Sequence, residues 1–578
     1  MRPRLLAVLL IAIAGGLPLS PALAQVAVRI EGLDGELRSN VELRLSILSQ
    51  AKAKDLDQGL VESMHRGAPD DIRDALQPYG YYNPTITSEL KGEAPNWTAT
   101  YQIDPGPRTT LRKIDLEISG DGADALSDVG LSMLDRLREG TPLLHSDYQR
   151  AKATLSSAAY ALGYLDAQYI QAELRIYADD NRADIVLHFD TGPGYRFGAV
   201  TVDQDVVNDT VVTRYVPIRQ GDRYDPQKLI DAQFYLGDLG YFESINVVAQ
   251  KDAAVEHEVP IVIETTPRKR TRYNVGAGYG TDTGARLTAG TEVRRLNREG
   301  HRLTLETRLS EVKNTANGEY RIPLGSRPGE SIGLSGELAN ENLDSGFSRR
   351  YGVELSLSRI PGKWKRRYYV AYTHEESVLG DTAQTSDLLM PGLSLNRSES
   401  DNPIYTRLGW SAFTDVHGAK RDVVANTSFV RGLLILRGAL PLGEKARLLG
   451  RYEFGAAYVE EFGELPASQR FFAGGDQSVR GYKYQSLGPR NADGEVVGGR
   501  YLTSFSIEVE RRLWDQWGVA TFFDAGGADD TVAPELYRGV GIGARYRAPI
   551  GSVQVDLAYP LDDPSPGIRI HLGVRVGL

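Results

Sequence analysis

A chain of 578 residues is long enough for several domains, and without a single cysteine it has no disulfide, thiolate metal site or cysteine-borne lipid anchor. A formal charge of −10 argues against a nucleic-acid partner, and eight histidines without HxH or HxxxH spacing point to no metal centre. Glycine is abundant, 61 residues against a usual ~7%, and tyrosine (30) outnumbers phenylalanine (14), as suits rings standing at a wet interface.

Residues 1–24 read as a secretory signal peptide. Arg2 and Arg4 supply the positive start, Leu5 to Leu17 the apolar stretch, and Ala22-Leu23-Ala24 a small-residue cleavage site before Gln25. The apolar run falls short of the ~20 residues that span a bilayer, so the chain is expected to leave the cytoplasm. No later segment approaches such a length. That leaves open a membrane barrel, which needs apolar residues only at alternate positions.

From about residue 25 to 270 the chain repeats itself. "LQPYGYYNPTITSEL", "YALGYLDAQYIQAEL" and "LGDLGYFESINVVAQ" each end a helical pattern on Gly-Tyr and run into a strand. Gly80, Gly163 and Gly240 sit where a left-handed helix cap belongs. Asp225 and Asp147 are cap candidates for the preceding helices. Leu229, Ala232, Leu236 and Leu239 hold one apolar face, as do Leu155, Ala158 and Leu162. Each unit closes on a strand ending at Asp104, Asp190 or Glu264, followed by a turn at Pro107, Pro193 or Pro267. The expected organisation is three α+β modules, each strand-helix-helix-strand-strand, over 25–107, 108–193 and 194–267.

Residues 268–578 carry period-2 segments broken by turns. Leu303, Leu305 and Leu309 oppose Arg302, Thr304, Glu306 and Arg308, and Tyr351, Val353, Leu355 and Leu357 oppose Gly352, Glu354, Ser356 and Ser358. At the end, Ile568, Ile570, Leu572, Val574, Val576 and Leu578 face one way. A soluble sandwich alternates too. About sixteen segments of ~10 residues, in an exported chain without disulfides, favour an all-β transmembrane barrel of about 16 antiparallel strands, closed so that no edge meets lipid. Closure requires the first strand, near Tyr273 to Gly280, to pair with the last, Ile568 to Leu578. Gly573 and Gly577 weaken that last strand and predict a poorly zipped seam.

One stretch breaks the alternation. Residues 459–496, with "QRFFAGGDQSVRGYKYQSLGPR", are far too long for a hairpin and too aromatic for a disordered tail. Gly474-Gly475 permits a reversal and Gly481 a close backbone approach, so the loop is expected to fold into the lumen. In "YLTSFSIEVERRL" the residues Tyr501 to Val509 at alternate positions form the lipid face, placing Ser504, Ser506, Glu508 and Glu510 inward; in "WGVATFFDAGG" the same count puts Gly518, Ala520 and Asp524 inside. Arg480 is expected to pair with Glu508 and Asp524. A solvated arginine at a loop tip is the plainer alternative.

The "SVRGY" segment resembles the (V/I)RG(F/Y) motif on the sixth extracellular loop of the BamA/TamA superfamily of outer-membrane barrels. "FFDAG" resembles its F-x-D-x-G motif, "SIEVE" the strand that supplies a second acid, and the three modules resemble POTRA domains. "YGTDTGARLTAG" and "NGEYRIPLG" are similar to early strands of the TamA branch. Leu578 departs from the aromatic end of many such barrels.

The resemblance implies α+β POTRA repeats in the periplasm and a barrel in the outer membrane. It implies a loop motif of Arg480, Gly481 and Tyr482, lumen acids Glu508 and Asp524, and a seam at Tyr273, Gly280, Ile568, Gly573, Gly577 and Leu578 that opens for clients. The implied role is assembly of autotransporters and other outer-membrane proteins, with a link to lipid transport. The implied partners are a TamB-like inner-membrane-anchored protein meeting the first POTRA module, client outer-membrane proteins and outer-membrane lipid. No cofactor, metal or nucleic acid is implied. No nucleophile elbow or phosphate-cradling loop marks an enzyme. The rivals are a two-partner-secretion transporter and a passive porin-like channel, which would have no use for three modules or for an Arg-Gly-Tyr loop with matched acids.

Overall fold

The computed structural model describes residues 25–50, 57–93, 96–280, 284–549, 551–564 and 566–577. The signal-peptide segment and Leu578 lie outside the described residues. The chain separates into two compact units, one of Met1–Ala199, Arg219–Gln227 and Lys251–Pro260, the other of Val200–Ile218, Lys228–Gln250 and Ile261–Leu578.

Each module has the same plan. In the first, strand Gln25–Glu31 is followed by helices Gly35–Arg44 and Gln58–Leu76 and by strands Thr85–Glu93 and Asn96–Asp104. The last strand lies central, parallel to the first and antiparallel to the second. Its alternate residues Trp97, Ala99, Tyr101 and Ile103 are buried against Val61, Ala68 and Ile72 of the longer helix, the period-2 and period-3.6 faces meeting as they must. Thr85–Glu93 is a largely exposed edge strand. The second module repeats the sheet order with Arg182–Asp190 in the middle, and the third with Glu258–Pro267.

The three Gly-Tyr corners share one construction. Gly80, Gly163 and Gly240 have φ of 89°, 80° and 69°, the left-handed region that disfavours other residues. The carbonyl just before each glycine, of Tyr79, Leu162 or Leu239, accepts from an arginine of the next domain. The donors are Arg108 Nε at 2.7 Å, Arg223 Nε at 2.8 Å and Arg302 Nη2 at 2.7 Å. The repeat seen in the sequence is therefore a repeated joint as well as a repeated fold.

Two helix and strand limits differ from expectation. The helix His145–Ala161 starts two residues before Asp147, whose carboxylate pairs with Arg150 at 3.0 Å in the first turn and does not cap. The strand Glu258–Pro267 does not end at Glu264; Pro267 closes the ladder opposite Phe242, at the terminal position where a missing N–H costs least. Asp225 does accept from the Gln227 N–H at 2.9 Å, at the start of helix Pro226–Asp238.

Sixteen strands among the described residues form one antiparallel sheet in sequential order, from Thr271–Gly280 to Arg569–Arg575. The outward positions are apolar and exposed: Tyr273 is 77%, Val275 86% and Val574 67% exposed. Inward positions are polar, as a barrel in lipid requires. Four of the five tryptophans, Trp364, Trp410, Trp514 and Trp517, sit beside turns at the end where the modules join, the place of an interfacial aromatic girdle. Among the described residues no helix is long and apolar enough to cross a membrane.

Candidate functional site

The long loop runs from residue 460 to 500, between strands Ala446–Val459 and Tyr501–Arg512. It is stapled to itself by paired backbone hydrogen bonds, Phe471 with Gly499 at 2.8 and 2.9 Å and Ala473 with Leu487 at 2.9 and 3.0 Å. Leu465, Phe471, Val479 and Leu487 pack against inward Leu388, Phe429 and Leu502, which anchors the loop inside the barrel by apolar burial. Gly474, Gly475 and Gly481 have φ near 100° and turn the chain back on itself.

At the tip Arg480 is 6% exposed. Its fork engages Asp524, Nε to Oδ2 at 2.7 Å and Nη2 to Oδ1 at 2.9 Å, while Nη1 reaches Glu508 Oε2 at 3.0 Å and Asp556 Oδ2 at 2.8 Å. The guanidinium carbon lies 3.3 Å from the centroid of the Phe522 ring, a cation over an aromatic face. Behind it, Arg545 donates to Glu508 at 2.9 Å and to Asp556 at 2.5 Å, and Arg575 donates to Glu508 at 3.1 Å. Three guanidinium groups thus meet three carboxylates, so no charge is left uncompensated away from water.

The neighbouring motif residues are tied as firmly. The Gly481 N–H donates to His571 Nε2 at 3.1 Å, and His571 also meets Asp476. The Tyr482 hydroxyl donates to the Arg538 carbonyl at 3.1 Å and accepts from the Asp562 N–H at 3.1 Å. Space for the tip comes from the strand Tyr537–Ala548, whose inward positions Gly539, Gly541 and Gly543 have no side chain. A Cβ on Gly539 would stand 2.1 Å from the Arg480 carbonyl oxygen, and one on Gly541 would stand 2.3 Å from the Phe522 ring.

The structure brings Arg480, Glu508 and Asp524 together. Asp556, Arg545, His571, Phe522 and the glycine stripe were not singled out from the sequence. For Asp556, Arg545 and the glycines the signal was present: "GSVQVDLAYP" and "RGVGIGARYRA" alternate like the two strands read inward and outward.

The seam differs from expectation. No ladder joins Thr271–Gly280 to Arg569–Arg575 among the described residues, although a closed sheet called for one. Ile568 precedes the last strand and Gly577 follows it. Beyond the last strand Gly577 has φ +65° and gives its N–H to the Ile404 carbonyl at 2.9 Å, so the tail leaves the extended course of the strand there. Ile404 belongs to the turn between the eighth and ninth strands, whose Tyr405 is held inside the barrel. The guanidinium carbons of Arg447 and Arg547 lie 3.7 and 3.8 Å from its ring centroid, and its hydroxyl donates to buried Glu510 at 2.6 Å.

An Omp85 superfamily domain model matches residues 268–576. A model of the first POTRA domain of TamA matches 27–105, and a POTRA model described as a surface antigen variable number repeat matches 195–268. Among curated proteins, the outer membrane protein assembly factor BamA of Nitratidesulfovibrio vulgaris is 22% identical over 517 residues, covering 85% of this chain and 64% of that protein. BamA of Neisseria meningitidis serogroup B is 23% identical over 486 residues, covering 76% and 59%. The chain spans about three-fifths of the length of these relatives. Among solved structures, BamA from Haemophilus ducreyi lacking POTRA domains 1–3 aligns with a TM-score of 0.55 at 16% identity, covering 96% of this chain and 99% of that one, which is a likeness of fold.

Proposed function

The chain belongs to the Omp85 superfamily, with an outer-membrane barrel and POTRA modules in the periplasm, and from that premise we propose that it assembles outer-membrane proteins as a TamA-type translocation and assembly subunit. The observation that carries this reading is the unjoined pair of sheet edges at the seam. A free edge offers main-chain donors and acceptors to any incoming strand, so it can template clients of many sequences. The match of residues 27–105 to the first POTRA domain of TamA supports the TamA branch. Under this reading autotransporters are among the clients, and a TamB-like inner-membrane-anchored protein docks on the first module, where the edge strand Thr85–Glu93 is exposed. Glu508, Asp524 and Arg480 hold the loop as a fixed inner wall beside the opening.

The chain has no native cysteine, so an introduced pair is the one possible disulfide. Cysteine pairs scanned between Tyr273–Gly278 and Leu572–Val576 should include some that crosslink under oxidation. Crosslinked protein is expected to lose autotransporter assembly in cells and to regain it on reduction. Full activity while locked refutes the seam as the working surface. Photoreactive residues on Arg569–Arg575 are expected to capture client strands.

A further inference from the structure

We propose that the barrel lumen holds an anion site, and that its ligand is the phosphate-bearing headgroup of an anionic phospholipid entering through the seam. This deepens the assembly reading and rests on it only for the open seam. The lumen contains a cavity of about 1010 Å³. Its wall carries Arg286, Arg308, Arg437, Arg451 and Arg575, on five different strands.

The charges of this wall are unevenly matched. The acids that also line it are already engaged: Glu508, Asp524 and Asp556 with Arg480, Arg545 and Arg575, and Asp476 with His571. Arg308 has Glu306 at 3.1 Å. Arg286, Arg437 and Arg451 form no ion pair among the described residues. Arg437 and Arg451 are moreover direct cross-strand partners on the tenth and eleventh strands. Two like charges placed opposite each other repel; Arg437 is exposed and Arg451 half-buried, and the carboxylate that acts on both from the same wall is Glu453, on the strand of Arg451. Arg451 is aimed by a hydrogen bond from Nη2 to the Ser478 carbonyl at 2.7 Å, while its Nε is buried with no partner. A phosphate accepts from such forks in the bidentate manner that a chloride cannot.

The same cavity reaches the lipid. Gly276 and Gly278 on the first strand and Gly573 on the last also line it. A Cβ on Gly278 or Gly573 would meet nothing within 4 Å. On the outer side of those edges stand Tyr279, Val574 and Val576, all exposed. Arginines within and apolar edges at the mouth fit an amphiphile with its headgroup inside and its chains outside, better than a free anion.

The test uses the full chain in a neutral detergent without phosphate, read by native mass spectrometry. Short-chain phosphatidylglycerol, short-chain phosphatidylcholine and inorganic phosphate are the probes. Phosphatidylglycerol is expected to bind one to one, at least about tenfold more tightly than phosphatidylcholine, whose cation neutralises its phosphate. The double variant Arg437→Gln, Arg451→Gln should lose about tenfold or more of that affinity, and Arg286→Gln serves if the double variant does not fold. Gly573→Trp should block phosphatidylglycerol and leave inorganic phosphate binding unchanged. Equal binding of the two lipids, or unchanged binding in the arginine variants, overturns the site. Inorganic phosphate binding as tightly as phosphatidylglycerol overturns the lipid as its source. Client assembly measured on the same variants reports separately on the assembly reading.

Discussion

Arg480 and Asp524 meet through two parallel hydrogen bonds of 2.7 and 2.9 Å, 44 positions apart in the chain and both buried. Arg480→Ala leaves Asp524 without its main counter-charge, and the expected loss is about 3 kcal/mol of barrel stability, the usual effect of orphaning a buried charge. Asp524→Asn should cost less, because the amide still accepts one bond. In a double-mutant cycle the two losses should fall well short of adding, since the second change removes what the first left unpaired. Heat-dependent gel migration of the folded barrel measures both.

Gly539→Val tests the slot. Its Cβ would need the space of the Arg480 carbonyl oxygen, 2.1 Å away. The loop tip should be displaced while the outward lipid-facing surface is unchanged. Protease cleavage between residues 476 and 486 is expected to appear in this variant and to be absent from the parent.

Tyr405→Ala removes the ring held between Arg447 and Arg547 and the hydroxyl that donates to Glu510. The turn around Ile404 then loses its anchor, and Gly577 its acceptor. A thiol introduced at Val576 should react several-fold faster with a water-soluble maleimide in this background. An unchanged rate shows that the turn does not hold the tail.

Gly163→Val strains the joint between the second and third modules. The residue has φ +80°, and its Cβ would lie 2.5 Å from the Tyr224 carbonyl oxygen. A cost of about 1–3 kcal/mol is expected, seen as earlier thermal unfolding of the modules with the barrel unaffected.

The joint between the first two modules is expected to respond to pH. The Tyr82 hydroxyl and His145 Nε2 lie 2.6 Å apart, as a hydroxyl donating to a neutral imidazole. Burial lowers the His145 pKa below its ordinary 6.5 and pushes Tyr82 up to about 12. Above pH 6.5 the imidazole is neutral folded or unfolded, and nothing is lost. Below it the unfolded chain takes the proton first, so the modules lose stability as pH falls from about 6.5 toward the folded pKa. Thermal melts from pH 7.5 to 5 should show this slope, and His145→Phe should flatten it.

The module repeat, the sixteen strands and the inward placing of Glu508 and Asp524 were legible because each rests on a local period: 3.6 for a helix face, 2 for a strand. Asp556 and Arg545 obeyed the same period. They escaped because two acids already matched one arginine, and nothing local says that three guanidinium groups share the site. The Tyr405 clamp was illegible for another reason. It joins a short turn to side chains on the eleventh, twelfth and fourteenth strands, and such contacts follow from barrel curvature rather than from neighbours in sequence. The unjoined seam was half legible. Gly573 and Gly577 signalled a weak strand, but that Gly577 would bond to Ile404 depends on the same curvature.

That bond fixes an order of events in the protein's own biogenesis. The acceptor belongs to a turn between the eighth and ninth strands, and the clamp behind it needs residues from the fourteenth. A nascent barrel must therefore seat most of its wall before the tail finds its resting place. Until then the tail lacks the hydrogen bond that draws it toward that turn.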